Sequence, residues 1–345
     1  MKITVLLGGS SEERDVSLSS GSAVARALRS AGHEVVSWDT LRGPITPERE
    51  QEILDRGIGQ APPAHLEEDI VERGDLGPML GAPEVEGTDL FFPVLHGGAG
   101  EDGRLQTLLE LRGVPYAGSD RVGCLLAMDK EVSKSLFRDS GIPTPEWVAL
   151  DTGLQGVDRA VEAAGTHADR LGYPLIVKPP SGGSTVGLSL VHDPSELEPA
   201  VLNAAALESR VLLEAYVEGR ELTVGILDQE ALAVGEIIPE HELFDYECKY
   251  QPGLAQEIFP ADIPAEVEAR VQQVGLAVHR TLRLADFSRV DFILDGEGTP
   301  WVLEANTLPG MSPSSLLPKS GRAAGYPFPD LCDRIARVAL ARNSA

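Results

Sequence analysis

Two short stretches carry most of the chemistry this sequence can offer. In the first, Lys178-Pro179-Pro180-Ser181-Gly182-Gly183-Ser184-Thr185-Val186-Gly187, a lysine ends an apolar run and a Gly/Ser loop follows. A P-loop sets its lysine after the glycines and opens a helix. Here the lysine comes first and a strand follows, so the loop reads as a flexible hairpin whose N–H groups can fold over phosphates, as Gly-rich lids do. An ordinary surface hairpin has the same composition; the lysine favours phosphate without settling it.

The second stretch pairs Arg289-Val290-Asp291 with Glu304-Ala305-Asn306 across the turn Asp295-Gly296-Glu297-Gly298. Side chains alternate along a strand, so Arg289 and Asp291 share a face, as do Val302, Glu304 and Asn306. A register setting Asp291 opposite Leu303 would mix acids into the face of Val290, Phe292 and Leu294. The apolar pattern therefore selects the register that gathers Asp291, Glu304 and Asn306. Carboxylate and amide oxygens without His or Cys suit hard Mg²⁺ or Mn²⁺ ions completed by phosphate oxygens. A metal site beside a phosphate lid points to ATP. A third candidate, the Gly-rich run His96 to Gly103, ends a strand, which is where open α/β sheets bind ligands. Glu12-Glu13-Arg14 holds the same place after the first strand, although acids there also complement a helix dipole. The other histidines show no metal-ligand spacing, no Ser-His-Asp grouping is readable, and no GxGxxG follows a strand.

These groups need a scaffold, and apolar periodicity outlines one. Ile3–Leu7, a helix carrying Ala23, Val24, Ala27 and Leu28, and His33–Val36 open a parallel α/β sheet, joined by the strand Asp89–Leu95. Residues 41–87 are polar and weakly periodic, and no elements are assigned there. A helix over Met128–Asp139 stops at Gly141. Strands are expected at Leu175–Lys178, Leu188–Val191, Arg210–Glu214, Glu221–Leu227, Leu232–Ile238, Ser288–Leu294 and Trp301–Asn306. An amphipathic helix spans Glu266–Leu284.

Composition bounds the function. With 29 basic and 54 acidic residues among 345, the net charge is −25. Such a chain repels phosphate backbones, so nucleic-acid binding is not expected, and an anionic ligand needs a few placed cations or metal ions. Three separated cysteines without a CxxC pair fit a reducing compartment. No apolar run reaches the ~18 residues of a membrane span, so a cytoplasmic protein with no membrane partner is expected.

Taken together, Leu7 to Ser17, His96 to Gly103, Met128-Asp129-Lys130, Lys178 to Gly187, Phe244 to Tyr250 and Arg289 through Leu316 resemble the D-alanine–D-alanine ligases of the ATP-grasp superfamily. The resemblance covers nearly the whole chain, and Glu304-Ala305-Asn306-Thr307-Leu308-Pro309-Gly310-Met311-Ser312 is its most telling part. It implies an N-terminal parallel α/β domain over 1–120, followed by a two-subdomain ATP-grasp fold. The central subdomain, 121–212, carries the Gly-rich lid; the C-terminal one, 213–345, carries the metal site and a mobile loop. It implies ATP as substrate, two Mg²⁺ or Mn²⁺ ions, D-alanine as the other substrate, and a homodimer.

By the same resemblance, Lys130 and Lys178 contact phosphates, and Glu214 and Glu221 serve the adenine and ribose beside the backbone of Ala215 and Val217. Asp291, Glu304 and Asn306 hold the metal ions, Glu304 bridging. Glu13 holds the first D-alanine's ammonium, with Ser184 and Tyr250 positioning it and the mobile loop, and Lys249 neutralises the transferred phosphate. Arg289 and the N–H of Gly310 stabilise the oxyanion. Ser315 and Leu316, with help from Lys319, bind the second carboxylate; His96 and Glu101 wall the substrate side. The departures are Cys248, where an alanine is common, and Thr185, where a second serine is common, and neither removes a needed donor or acceptor. Two other readings compete. A ligase for D-lactate or D-serine is distinguished by the residue at 250, where Tyr fits dipeptide formers. A non-catalytic nucleotide sensor would be expected to lose the metal ligands or Arg289, which this sequence keeps.

Overall fold

A computed structural model describes residues 1–59, 77–183, 185–242, 244 and 253–343. Its strands lie in three sheets. The first has the order β3-β2-β1-β4, from β1 (Lys2–Leu7), β2 (Glu34–Asp39), β3 (Gly43–Ile45) and β4 (Leu90–Pro93). β1 runs parallel to β2 and β4 and is apolar almost throughout, as a strand covered on both faces must be. The helix Arg14–Ser30 covers one face with Leu18, Val24, Ala27 and Leu28. The chain's last helix, Phe328–Asn343, returns to the same core, burying Leu331, Cys332, Ile335 and Ala336 with Ile3, Val5 and Leu7.

The second sheet, β5-β8-β6-β7, is antiparallel, from β5 (Trp147–Asp151), β6 (Leu175–Lys178), β7 (Ser189–Val191) and β8 (Arg210–Ala215). Its covered face packs Leu175, Val177 and Leu213 on Ala160, Ala164 and Ala168 of the helix Val157–Leu171, and on Leu197 and Val201 of Pro194–Ala205. The opposite face presents Ile176, Lys178 and Glu214 to a cleft.

Across that cleft lies the third sheet, β11-β10-β9-β12-β13, from β9 (Arg220–Leu227), β10 (Glu230–Pro239), β11 (Ala255–Ile258), β12 (Phe287–Leu294) and β13 (Pro300–Asn306). The helix Ala265–Thr281 seals its back on Leu222, Val224, Val290, Phe292 and Val302. Gly275 allows that contact, because a Cβ there would stand 2.7 Å from Val224 Cγ1. Among the described residues no helix is long and apolar enough to cross a membrane.

The fold class expected from the sequence is the one found, with local corrections. The helix expected over Met128–Asp139 runs Lys130–Asp139, and a separate helix, Arg121–Met128, precedes it. Asp129 ends the first, and its carboxylate caps the second by accepting from the N–H groups of Glu131 and Val132. Residues 121–142 send Ala127, Phe137 and Ile142 into the core of the third sheet. The border expected after 212 falls inside β8, so the change of sheet comes between Ala215 and Arg220. The third correction is in the hairpin. Asp291 pairs with Glu304, but a bulge at Leu303 shifts the register and pairs Phe292 with Val302. Val302 therefore lies in the core and not on Glu304's face.

Candidate functional site

The half of the cleft where the sequence places the nucleotide is built from both antiparallel sheets. Lys178 ends β6, and its Nζ donates to Glu214 Oε1 on neighbouring β8 at 2.9 Å. Lys134, from the helix Lys130–Asp139, meets Glu214 Oε2 at 2.7 Å, donates to Thr144 Oγ1 at 2.6 Å, and lies 5.4 Å from the Trp147 ring centroid. Burial raises the Glu214 carboxyl's pKa, but the two lysines outweigh it and hold it below its ordinary value. Burial lowers Lys134 to about 8 despite its acidic partner. Ile176, Ile237, Ile293 and Leu303 supply apolar walls, with Ala215, Val217 and Glu221 at the edge.

The third sheet contributes the polar hairpin. Arg289 forks onto Asp291, with Nε to Oδ1 at 2.9 Å and Nη2 to Oδ2 at 2.8 Å. Thr223 Oγ1 donates to Asp291 Oδ1 at 2.7 Å, and Asn306 Nδ2 to Oδ2 at 3.0 Å. Lys130 Nζ bridges the hairpin and the lid, 3.1 Å from Glu304 Oε2 and 2.8 Å from the Gly182 carbonyl. Among the described residues no three His, Cys, Asp or Glu converge as a metal site. The donors present are two carboxylates and an amide. They fit hard divalent ions only together with oxygens brought by phosphates.

The lid closes over this half. Thr185 stands at φ +66°, a strained conformation for a β-branched residue, and its hydroxyl donates to the Phe244 carbonyl at 3.2 Å. Ser184, Lys249, Tyr250 and Cys248 lie outside the described residues.

A second cavity continues from the first. Gly183, Phe244, Arg289, Glu304 and Leu316 border both. Glu13 stands at its far wall, just before the helix Arg14–Ser30. The turn carrying Glu13 is pinned. Buried Arg14 pairs with Asp39 at the end of β2 and donates to the Gly9 carbonyl, while Ser17 Oγ donates to the Val94 carbonyl at 2.6 Å and accepts from Gly8 N–H. His96 Nδ1 donates to the Leu308 carbonyl at 2.9 Å, which leaves buried Nε2 as an acceptor with no hydrogen-bond partner among the described residues. Burial lowers the His96 pKa, against the pull of Glu13. Gly97, at φ +69°, passes so close that a Cβ would lie 3.2 Å from Glu13 Oε2. Its N–H donates to Glu101 Oε2 at 2.6 Å, yet burial and then Glu13 push the Glu101 carboxyl up to about 8.

The remaining wall is Pro309, Gly310, Ser312 and Ser315 at the start of the helix Leu316–Ala323. The hydroxyls of Ser312 and Ser315 are 2.8 Å apart, and the Ser312 N–H donates to Ser315 Oγ. Helix N–H groups and hydroxyls there suit a carboxylate. Lys319 does not line the cavity; its Nζ pairs at 2.5 Å with Glu257, which does. The structure thus brings together every described residue singled out in the sequence, with Lys319 one layer back.

Sequence reasoning missed Lys134, Thr223, Leu303 and Glu257. Lys134 carried a signal, one helical turn after Lys130. Leu303 carried none, because only the bulge turns it into the cleft.

The family models described as D-ala D-ala ligase N-terminus and D-ala D-ala ligase C-terminus match residues 2–119 and 136–337. The chain is 40% identical over 343 residues to a D-alanine–D-alanine ligase of Synechococcus sp. (strain JA-3-3Ab), covering 99% of this chain and 94% of that one. It is 37% identical to the corresponding ligase of Moorella thermoacetica, with 99% of each covered. Among solved structures, a D-alanine–D-alanine ligase from Bacillus anthracis complexed with ATP matches with a TM-score of 0.76 and 31% identity, covering 100% of this chain and 99% of that one. A D-Ala:D-Ser ligase from Enterococcus faecalis matches with a TM-score of 0.77 and 27% identity, covering 98% and 99%.

Proposed function

The chain belongs to the D-alanine–D-alanine ligase family, and from that premise we propose how its cleft joins two D-alanines while cleaving ATP to ADP and phosphate. Lys130 and Lys178 take the phosphates, Glu214 and Glu221 the adenine and ribose, and the backbone of Ala215 and Val217 lies along the base. Asp291, Glu304 and Asn306 would hold two Mg²⁺ or Mn²⁺ ions, which when bound offset the phosphates' charge.

Glu13, steadied by Ser184 and Tyr250, binds the ammonium of the first D-alanine, with His96 and Glu101 as walls. A carboxylate oxygen of that D-alanine attacks the γ-phosphorus, the bond to ADP breaks, and a D-alanyl phosphate forms, its new phosphate neutralised by Lys249. The step is needed because a carboxylate has no leaving group until its oxygen carries phosphate. The second D-alanine, its carboxylate at Ser315 and the Leu316 N–H with Lys319 behind, attacks the carbonyl as a free amine. Arg289 and the Gly310 N–H meet the oxyanion, and the carbon–oxygen bond to phosphate breaks.

The observation that carries this reading is the shared wall. Arg289 and Glu304 border both cavities, so nucleotide and amino acid meet at the same two side chains. The reading extends to a cytoplasmic homodimer supplying peptidoglycan precursor. The test offers ATP, Mg²⁺ and a panel of D-alanine, L-alanine, D-serine and D-lactate, with phosphate release and product mass measured together. D-Alanyl-D-alanine formed one-to-one with phosphate supports it. Equal turnover with L-alanine, or an ester or mixed dipeptide as main product, overturns the substrate assignment.

A further inference from the structure

We propose that Lys134 is a positioning residue for ATP: it is the standing counter-charge of Glu214, and it lets Lys178 leave that carboxylate for the nucleotide's phosphates. The inference rests on the reading that ATP occupies this cleft.

Two lysines share one buried carboxylate, each on its own oxygen, at 2.7 and 2.9 Å. They differ in what else they can reach. Lys134's side chain is 0% exposed, fixed by Glu214, the Thr144 hydroxyl and the Trp147 ring. Thr144 is fixed in turn, donating to the Val302 carbonyl at 2.9 Å. Among the described residues nothing else in the cleft pairs with Lys134, and it lines neither cavity. Lys178, at the end of β6 beside the lid, lines the cavity proposed for the nucleotide, within reach of a ligand there.

The two lysines therefore carry different tasks. Without nucleotide the cluster is one acid and two bases, a net +1. When Lys178 turns to a phosphate, Glu214 and Lys134 remain as a neutral pair. Without Lys134, the same motion would strand a buried carboxylate, which either holds Lys178 back or takes a proton from solvent. Among the described residues, the charged side chains that meet Glu214 are Lys178 from β6 and Lys134 from the helix beside it.

The test is Lys134→Met, which keeps an unbranched chain against Trp147 and removes the charge. Titration calorimetry of the full chain with a non-hydrolysable ATP analogue and Mg²⁺, in two buffers of different ionisation enthalpy, reads affinity and proton uptake together. The variant is expected to bind at least about tenfold more weakly and to take up about one more proton per nucleotide than wild type. A merely structural role would not move the proton count. Should Lys134→Met fail to fold, the comparison is made in Glu214→Gln. There no counter-charge is needed, and adding Lys134→Met should change affinity by less than about twofold. A wild-type proton count in Lys134→Met, or full weakening in the Glu214→Gln background, overturns the proposal. A wild type that binds no analogue would instead overturn the ATP reading beneath it.

Discussion

The two halves of the cleft differ in how their charges are arranged before any ligand arrives. In the nucleotide half, acids and bases are already matched: Lys134 and Lys178 on Glu214, Lys130 on Glu304, and Arg289 on Asp291. In the amino-acid half, Glu13 and Glu101 crowd together beside buried His96, whose Nε2 has no hydrogen-bond partner among the described residues. That half is rich in carboxylates, and Glu101 keeps its proton well above the ordinary carboxylate range. A matched site exchanges partners when a polyanion enters. An acceptor-rich site suits a donor, and an ammonium is such a donor.

Each change below alters one side of this contrast. The largest effect is expected at the shared wall. Arg289→Lys loses the bidentate grip on Asp291 and the planar donor proposed for the oxyanion, so kcat should fall by about 10²–10³ with the fold intact. Unchanged kcat in stopped assays would remove Arg289 from the reaction. Next is Glu304→Gln, which withdraws one negative charge from the hairpin proposed to hold the metal ions. Apparent affinities for Mg²⁺ and ATP should weaken together, by about tenfold or more, and Mg²⁺ titrations at fixed ATP would show it. Normal activity at limiting Mg²⁺ would refute the metal assignment.

Glu101→Gln tests the acceptor-rich half through stability. Glu101's pKa is raised from 4.5 to about 8, so between those values the folded chain holds a proton that the unfolded chain has lost. Stability therefore falls as pH climbs through that window and levels off above it. In Glu101→Gln this contribution is absent, so its Tm should decline less between pH 5 and 8, a difference on the order of a few degrees. Parallel Tm profiles for variant and wild type would contradict the burial account.

The smallest effect concerns product choice at Tyr250. A His there titrates near ~6.5 and, once protonated, repels an arriving ammonium but not an anionic hydroxy acid. With D-alanine and D-lactate both present, Tyr250→His should shift product from amide toward ester as pH falls from about 8 to 6. A product ratio that tracked wild type at every pH would show that position 250 does not set the nucleophile.

What the sequence revealed and what it hid follow from physics. β1, β9 and β12 were legible because buried strands need continuous or alternating apolar residues. The register of the β12–β13 hairpin followed from the same need, as far as Asp291 opposite Glu304. The bulge at Leu303 did not, since strict alternation is the only rule a single strand displays. The helix Pro47–Arg56 had a legible start in Thr46-Pro47, an N-cap followed by proline at the first helical position, but its face is mostly charged and periodicity passed over it. β5 and β11 are short and partly exposed, with little pattern to find. In the site, the polar motifs were visible, but the buried Lys134–Glu214 contact was not. It joins a helix to a strand 80 positions away, and no local pattern records such a pairing.

The most direct test of the shared cleft follows the oxygen that must cross it. D-Alanine labelled with ¹⁸O in both carboxylate oxygens is incubated with the enzyme, ATP and Mg²⁺, and the released phosphate and dipeptide are analysed by mass. If the carboxylate attacks the γ-phosphorus and later loses that oxygen to the amine, each phosphate carries one ¹⁸O and the new amide carbonyl keeps the other. Unlabelled phosphate alongside dipeptide would mean that water, and not D-alanine, cleaves the ATP, and would contradict a cleft in which the two substrates react at Arg289 and Glu304.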